Sequence, residues 1–471
     1  MKYLLFLFFI GYNLSVCAQK RTGPVPTSEQ LEWHEMEFYL FIHFGPNTFT
    51  DVEWGTGKED AKVFNPTALD CNQWVKIAKQ AGAKGIILTA KHHDGFCLWP
   101  SNYSTHTVRE SNWKKGRGNV VRELSIACEN AGLKFGVYIS PWDRNHPKYG
   151  TPQYNDVYVR TMTELLTNYG RIFELWWDGA NGEGPNGKKQ AYDFRRFEKM
   201  ARTLSPRSVI FSDIGPDIRW VGNERGHAGE TNWNLLDTAG FSRGIGAPPT
   251  DTLNRGNENG HQWIPAECDV SIRPGWFYHK REDSLVKTPA QLFDLYLKSV
   301  GRGANFLLNV PPDQRGLFHS ADSASLMGFK RLLDENFKTN LLKNAVVELR
   351  NGKIKKTKKL TDGYTDTYES LPTATDPGIS IELEKEIMLN TISLREYINV
   401  GQTVKKFTIR LLDKQNDLAR EIQATTIGRK RILTFPGVKV KKITITILEA
   451  KAAVVISEIA AYNIDEGLVE K

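Results

Sequence analysis

"RIFELWWDG", residues 171–179, is the stretch on which the fold turns. An apolar, aromatic run stops abruptly at Asp178, and the Gly- and Asn-rich loop "GANGEGPNG" (179–187) follows. A strand that is apolar along its whole length, not on alternate residues, is buried on both faces, as in a parallel sheet covered by helices. The same form recurs on either side. "EFYLFIHFG" (37–45), "GIILTAKHHD" (85–94), "KFGVYISPWD" (134–143), "SVIFSD" (208–213), "AECDVSI" (266–272) and "NFLLNV" (305–310) are further strands of this kind. Between several of them lie helical stretches, "CNQWVKIAKQAG" (71–82), "VVRELSIACENAG" (120–132) and "YDFRRFEKMARTL" (192–204). The first two end in Gly, the residue that tolerates the left-handed conformation closing a helix. Strands alternating with helices over some three hundred residues predict a (β/α)8-like barrel, with one or two strands not placed by their sequence.

The tail differs in character. "ISIELEKEIMLNTISLREYI", "VKKFTIRLLD", "RKRILTFPG", "KKITITILEA" and "AVVISEIAAY" are β-rich segments at short intervals, the pattern of an antiparallel β-sandwich. The N-terminus, "MKYLLFLFFIGYNLSVCAQK", has an early Lys, an apolar core and a small-residue site ending at Ala18, which marks a secretory signal peptide. Cys17 in "LSVC" raises a lipoprotein alternative, which the bulky Val16 disfavours. The expected division is therefore a signal peptide over 1–18, a barrel over 19–340 and a sandwich over 345–466. The protein is expected to be exported, to the periplasm or the extracellular space. No later apolar run is long enough to span a bilayer.

Composition narrows the function further. The chain has 471 residues and a net charge of +8. After residue 340 there are 22 basic against 17 acidic side chains, so most of the excess lies in the tail. Runs such as "KIKKTKK" (353–359) suit a solvated edge better than a nucleic-acid surface, and no nucleic-acid partner is expected. Cys71, Cys97, Cys128 and Cys268 are widely spaced within or beside apolar segments, which predicts buried thiols and no disulfide framework.

Catalytic groups of such a barrel sit where its strands end, on the face built by the strand-to-helix loops. Reading those ends yields His43, then His92, His93 and Asp94, then Tyr138 with Trp142 and Asp143, then Trp176, Trp177 and Asp178. Aromatic rings beside imidazoles and carboxylates suit a sugar, because rings pack on its C–H faces while polar groups bond its hydroxyls. A glycosidase needs two carboxyl groups. Asp178 is the candidate nucleophile, a short side chain on a rigid strand end. The segment "GPDIRWVGNERGHAGETNW" (215–233) offers Asp217, Glu224 and Glu230 as the acid. Glu224 near Trp220 is favoured by aromatic burial, but spacing does not separate it from Glu230.

Rival chemistries fare worse. "GEGPNGKK" (182–189) approximates a phosphate loop, yet Lys189 replaces the metal-binding hydroxyl and Pro185 removes a backbone N–H. A metal-dependent hydrolase would draw on His43, His92, His93 and Asp94. Adjacent strand residues point to opposite faces, which spoils that site unless the strand has already ended. A lectin of barrel form would not need Asp178.

Several ordered motifs carry a family resemblance: "FIHFGPNTFTDVEWG" (41–55), "GIILTAKHHDGFCLWPS" (85–101), "FGVYISPWDRN" (135–145), "WWDGANGEGPNG" (176–187), "IRWVGNERG" (218–226) and "AECDVSIRPGWFYH" (266–279). Together they resemble the α-L-fucosidases of glycoside hydrolase family 29, in particular the branch acting on α-1,3- and α-1,4-linked fucose of Lewis-type structures. The tail segment "ISLREYINVGQTVKKFTI" resembles a discoidin-like, galactose-binding-like sandwich. The resemblance implies a retaining hydrolase of fucosylated oligosaccharides or glycoprotein glycans, with neither metal nor cofactor. It implies Asp178 as nucleophile and Glu224 as acid/base, and His43, Glu53, Trp54, His92, His93, Tyr138, Trp176 and Trp276 as fucose-binding residues. A broad fucosidase acting on simple fucosides and a non-catalytic fucose-binding lectin are the alternatives. Nothing in the sequence sets the oligomeric state.

Overall fold

The computed structural model describes residues 21–351, 353–371 and 378–469. The expected signal peptide and Cys17 lie outside the described residues. Eight parallel strands close a barrel: β1 Phe38–Ile42, β2 Gly85–Lys91, β3 Lys134–Ile139, β4 Ile172–Trp176, β5 Val209–Ser212, β6 Ile218–Trp220, β7 Ala266–Ser271 and β8 Asn305–Asn309. The ring shuts where Phe38 to Phe41 of β1 run beside Phe306 to Asn309 of β8. Seven strands coincide with the apolar runs of the sequence. The eighth, β6, has three residues and follows β5 across a connection of only five, without a covering helix. So short a segment has no periodicity to detect.

Strand alternation sorts the side chains. Phe38, Leu40 and Ile42 of β1 pack outward with the helices, while Tyr39 and Phe41 join Ile87, Tyr138, Trp176 and Phe211 inside the barrel. Cys71–Gln80, Val120–Ala131 and Phe194–Leu204 are helices, as their spacing predicts. Asp70, Asn119 and Asp193 accept backbone N–H groups at their first turns. The cysteines Cys71, Cys97, Cys128 and Cys268 are buried and free. Among the described residues, no helix is long and apolar enough to cross a membrane.

The second domain is antiparallel. Its strands are β9 Val347–Asn351, β10 Lys353–Thr357, β11 Glu369–Leu371, β12 Gly378–Glu396, β13 Val404–Leu412, β14 Leu418–Ala424, β15 Arg431–Ala450 and β16 Val454–Tyr462. The long β12 changes partner along its length, pairing with β9 at Gly378–Ile381 and with β16 at Thr391–Glu396, while β15 runs beside both parts. Register shifts after Glu382 and Leu389 mark the change. All eight strands are thereby hydrogen-bonded into one sheet, and its strands enclose a core that includes Ile381, Leu394, Phe407, Ile445 and Ile459.

This domain is locked to the barrel by charge and amide contacts. Glu37, just ahead of β1, meets Lys430 Nζ at 2.6 Å, Arg429 Nη1 at 2.9 Å and Arg395 Nη2 at 3.1 Å. Gln402 accepts the Asn234 backbone N–H (2.8 Å) and donates to the Asn232 carbonyl (2.9 Å).

Candidate active site

Alternation along the barrel strands builds the site from the floor upward. On β4, Glu174, Trp176 and, one step past the strand, Asp178 follow one another on the inner side. On β1 the same parity runs Tyr39, Phe41, His43, and on β7 it runs Glu267, Asp269, Ser271. The lowest level is a buried acid pair. Glu267 accepts the Tyr39 hydroxyl and the Trp176 indole N–H (2.8 Å), and Glu174 accepts the Trp33 indole N–H at 3.1 Å. Burial raises both carboxyls; the Glu267 charge carries Glu174 well above its ordinary range, while the bonds from Tyr39 and Trp176 oppose the rise at Glu267, so the pair favours keeping a proton. Trp176, stacked on Phe211 at 4.0 Å, is thus gripped from below.

Above this floor lies a cavity of 230 Å³. It is lined by His43, Glu53, Trp54, His92, His93, Tyr138, Trp176, Asp178, Glu224 and Trp276, every site residue expected from the sequence, together with Phe41, Ala180 and Asp269. Asp94 and Trp142 stand outside it, as do Glu230 and Asp217. Asp217 accepts the Ile210 backbone N–H (2.7 Å) and pairs with Arg202 (2.7 Å), a contact that braces β5 and β6. Glu230 has an exposed side chain, and its carbonyl accepts from Arg431 of the second domain (2.6 Å). Of Glu224 and Glu230, only Glu224 lines the cavity.

Asp178 is held by both oxygens. Tyr138 donates its hydroxyl to Oδ2 (2.9 Å), and the Ala180 backbone N–H donates to Oδ1 (2.7 Å). Nε2 of His93 lies 3.8 Å from Oδ2. Ser140 Oγ donates to the Trp142 carbonyl, so it accepts the Nδ1–H of His93 (2.7 Å) and leaves Nε2 as the nitrogen facing Asp178. Gly179 is required by packing, since a Cβ there would overlap the Asp213 carboxyl. Burial and the Asp178 charge push that carboxyl up to about 6.

Glu224 follows β6 and accepts the Trp276 indole N–H at 3.3 Å. Partial burial raises its carboxyl, the Trp276 bond opposes this, and the charges of Asp178 and Glu53 raise it again. Two carboxyl groups, one of them raised, therefore share one cavity, and paired carboxyls of this kind are what glycosidic cleavage uses.

The remaining wall is rigid. His43 donates Nδ1–H to Asn309 (2.9 Å), and burial lowers its imidazole to about 3, so it stays neutral. His92 and His93 both line the cavity, ring centroids 4.0 Å apart, because β2 ends at Lys91 and strand alternation no longer applies. Among the described residues, no group of three His, Cys, Asp or Glu side chains is arranged to hold a metal ion. Glu53 accepts the Trp276 backbone N–H (2.8 Å) and contacts His279 at 2.6 Å, tying the β1 loop to the β7 loop. Trp54 stands 58% exposed at the mouth, edge-on to His93 and Trp142.

Asp269 and Phe41 lie inside their strands and not at their ends, so a reading of strand ends passes over both. Strand parity with Glu267 and with His43 was the signal available for finding them.

Comparison with known proteins agrees with this chemistry. The sequence model of the family described as Alpha-L-fucosidase matches residues 28–337. Alpha-L-fucosidase 1 of Arabidopsis thaliana is 41% identical over 448 residues, covering 93% of this chain and 87% of the plant protein. A glycoside hydrolase 29 family member from an unknown rumen bacterium superposes with a TM-score of 0.84 at 41% identity, over 95% of this chain and 78% of that one. A Ruminococcus gnavus GH29 fucosidase, solved in complex with fucose, superposes at 0.85 with 30% identity, over 96% and 97% of the two chains. The chain belongs to the α-L-fucosidase family, glycoside hydrolase family 29, and is a glycoside hydrolase.

Proposed function

We propose that the protein is an exported, retaining 1,3/1,4-α-L-fucosidase that removes fucose from branched, Lewis-type glycans. The observation that carries the reading is the meeting of Asp178 and Glu224 in one aromatic-walled cavity. Asp178, oriented by Tyr138 and Ala180, attacks the anomeric carbon as a carboxylate. The glycosidic C–O bond breaks, and Glu224 gives its proton to the departing oxygen. A fucosyl ester on Asp178 results. Glu224, now ionised, takes a proton from water, whose oxygen attacks the same carbon and releases fucose and the Asp178 carboxylate. His43, His92, His93 and Tyr138 bond the sugar hydroxyls, while Trp176 and Trp276 supply apolar faces. Glu53 holds the Trp276 loop in register, and Trp54 closes the mouth.

The linkage preference is supported by the loop 179–193. Asn181 donates to the Gln190 carbonyl (2.9 Å), Asn186 to the Tyr149 carbonyl (2.6 Å), and Trp142 to the Glu183 carbonyl (3.0 Å). The loop enters the cavity through Ala180, and on this reading its fixed body faces the leaving group and selects among acceptor shapes, since it does not fold away from a poor one. Export rests on residues 1–18, and the mature chain should begin at Gln19.

The deciding experiment follows the first fucose released from an α-fucoside by proton NMR. Appearance of the α-anomer before mutarotation supports retention, and the β-anomer overturns it. Brisk turnover of an aryl fucoside with none of a Lewis trisaccharide would replace the linkage assignment by a broad fucosidase.

A further inference from the structure

Asp269 lies on β7, one step above Glu267 on the inner side of the barrel, and lines the same cavity as Asp178 and Glu224. It is 4% exposed, so what accessibility it retains is toward the cavity. Its Oδ1 accepts the Trp220 indole N–H at 2.9 Å, and no other side chain among the described residues donates to it. A buried carboxyl with an oxygen left over is costly unless something else completes its hydrogen bonding. The charged groups that act on it are Glu224, from the loop after β6, and Glu267, below it on its own strand. Both are acids.

We propose that Asp269 is a sugar-contacting residue of this cavity, its Oδ1 fixed by the Trp220 indole and its Oδ2 turned to a hydroxyl of the bound sugar. Burial and the two neighbouring acids hold the carboxyl well above its ordinary range. The shift favours the protonated carboxyl, the form that would donate a hydrogen bond to a sugar hydroxyl. This arrangement complements the rest of the cavity. Neutral His43 leaves its Nε2 as an acceptor on one side of the cavity, and a donor from Asp269 would serve the other. Trp220 sets the rotamer and selects which oxygen is free. The proposal rests on the cavity being the fucose site.

The test compares wild type with D269N and D269A, measuring the inhibition constant of L-fucose and kcat/KM for an aryl fucoside between pH 5 and 9. D269N keeps a neutral N–H donor in the same place and should stay within about threefold of wild type at pH 6. D269A should weaken fucose binding by about tenfold or more. Wild type should lose fucose affinity as pH rises and the acid ionises, since its donor then disappears, whereas D269N should not. That difference in profile is one a purely structural role would not produce, and it carries the test if D269A does not fold. Identical pH profiles for wild type and D269N, or a D269A enzyme with unchanged fucose affinity, would overturn the proposal. An active D178A variant would instead remove the reading of the cavity on which it rests.

Discussion

The barrel mouth and the seam with the second domain use the same residue types to opposite ends. At the seam, Glu37 is surrounded by Lys430, Arg429 and Arg395, and Tyr296 donates to it as well (3.0 Å). Burial would raise this carboxyl, but the three cations outweigh it and hold it well below its usual range. At the mouth, partial burial raises Glu224, the Trp276 indole opposes this, and the neighbouring acids Asp178 and Glu53 raise it again. A carboxylate whose partners are all protein is a fastener. One whose remaining partners are missing is available to a ligand. Seven residues of one loop span the contrast, with Glu224 on the cavity and Glu230 out beside Arg302.

Four substitutions break or sharpen this contrast. D178A should abolish the attack and lower kcat/KM by a factor on the order of 10⁴, with thermal unfolding little changed. An active D178A enzyme would remove the mouth from the comparison. E224Q should cost about 10²–10⁴-fold on a glycan whose leaving group needs protonation, and much less on a nitrophenyl fucoside. The alkaline limb of the wild-type kcat/KM profile, which reports loss of the raised Glu224 proton, should vanish in this variant. An unaltered limb would assign the acid to another group.

At the seam the loss should be in stability. E37Q leaves three cations without their carboxylate and should destabilise by about 3 kcal/mol at pH 7, with kcat/KM of the folded enzyme unchanged. The native carboxyl is depressed, so its contribution is present above the unfolded value and is lost as pH falls through the native one. Denaturant midpoints of wild type and E37Q should therefore converge in acid, and parallel curves would refute the ion cluster as the fastener. E230A is the smallest effect, within about 0.5 kcal/mol and without kinetic consequence, because its ion pair is solvated. A hundredfold loss of activity there would reverse the assignment of the two glutamates.

Much of this was legible beforehand. Seven barrel strands were readable because a strand buried on both faces must be apolar throughout, and "RIFELWWDG" shows that at a glance. The site was readable because parallel barrels place polar residues where such runs stop, as at His43, His92 and Asp178. The hidden parts have definite causes. β6 is three residues long and follows β5 with no helix between them. Asp269 is an inner residue of an apolar strand, so nothing at a strand end marks it. His92 and His93 share a wall only because β2 stops one residue earlier.

By itself, then, the sequence determined the alternation of buried strands and helices, the β-rich tail and the residue types at each strand end, since these follow from local hydrophobicity and backbone preference. Only the tertiary structure decided which glutamate faces Asp178, that Asp269 joins them, and that Glu37 meets cations some 360 to 390 residues away. Those outcomes depend on barrel closure and domain docking, which bring together groups whose separation along the chain carries no trace of their distance in space.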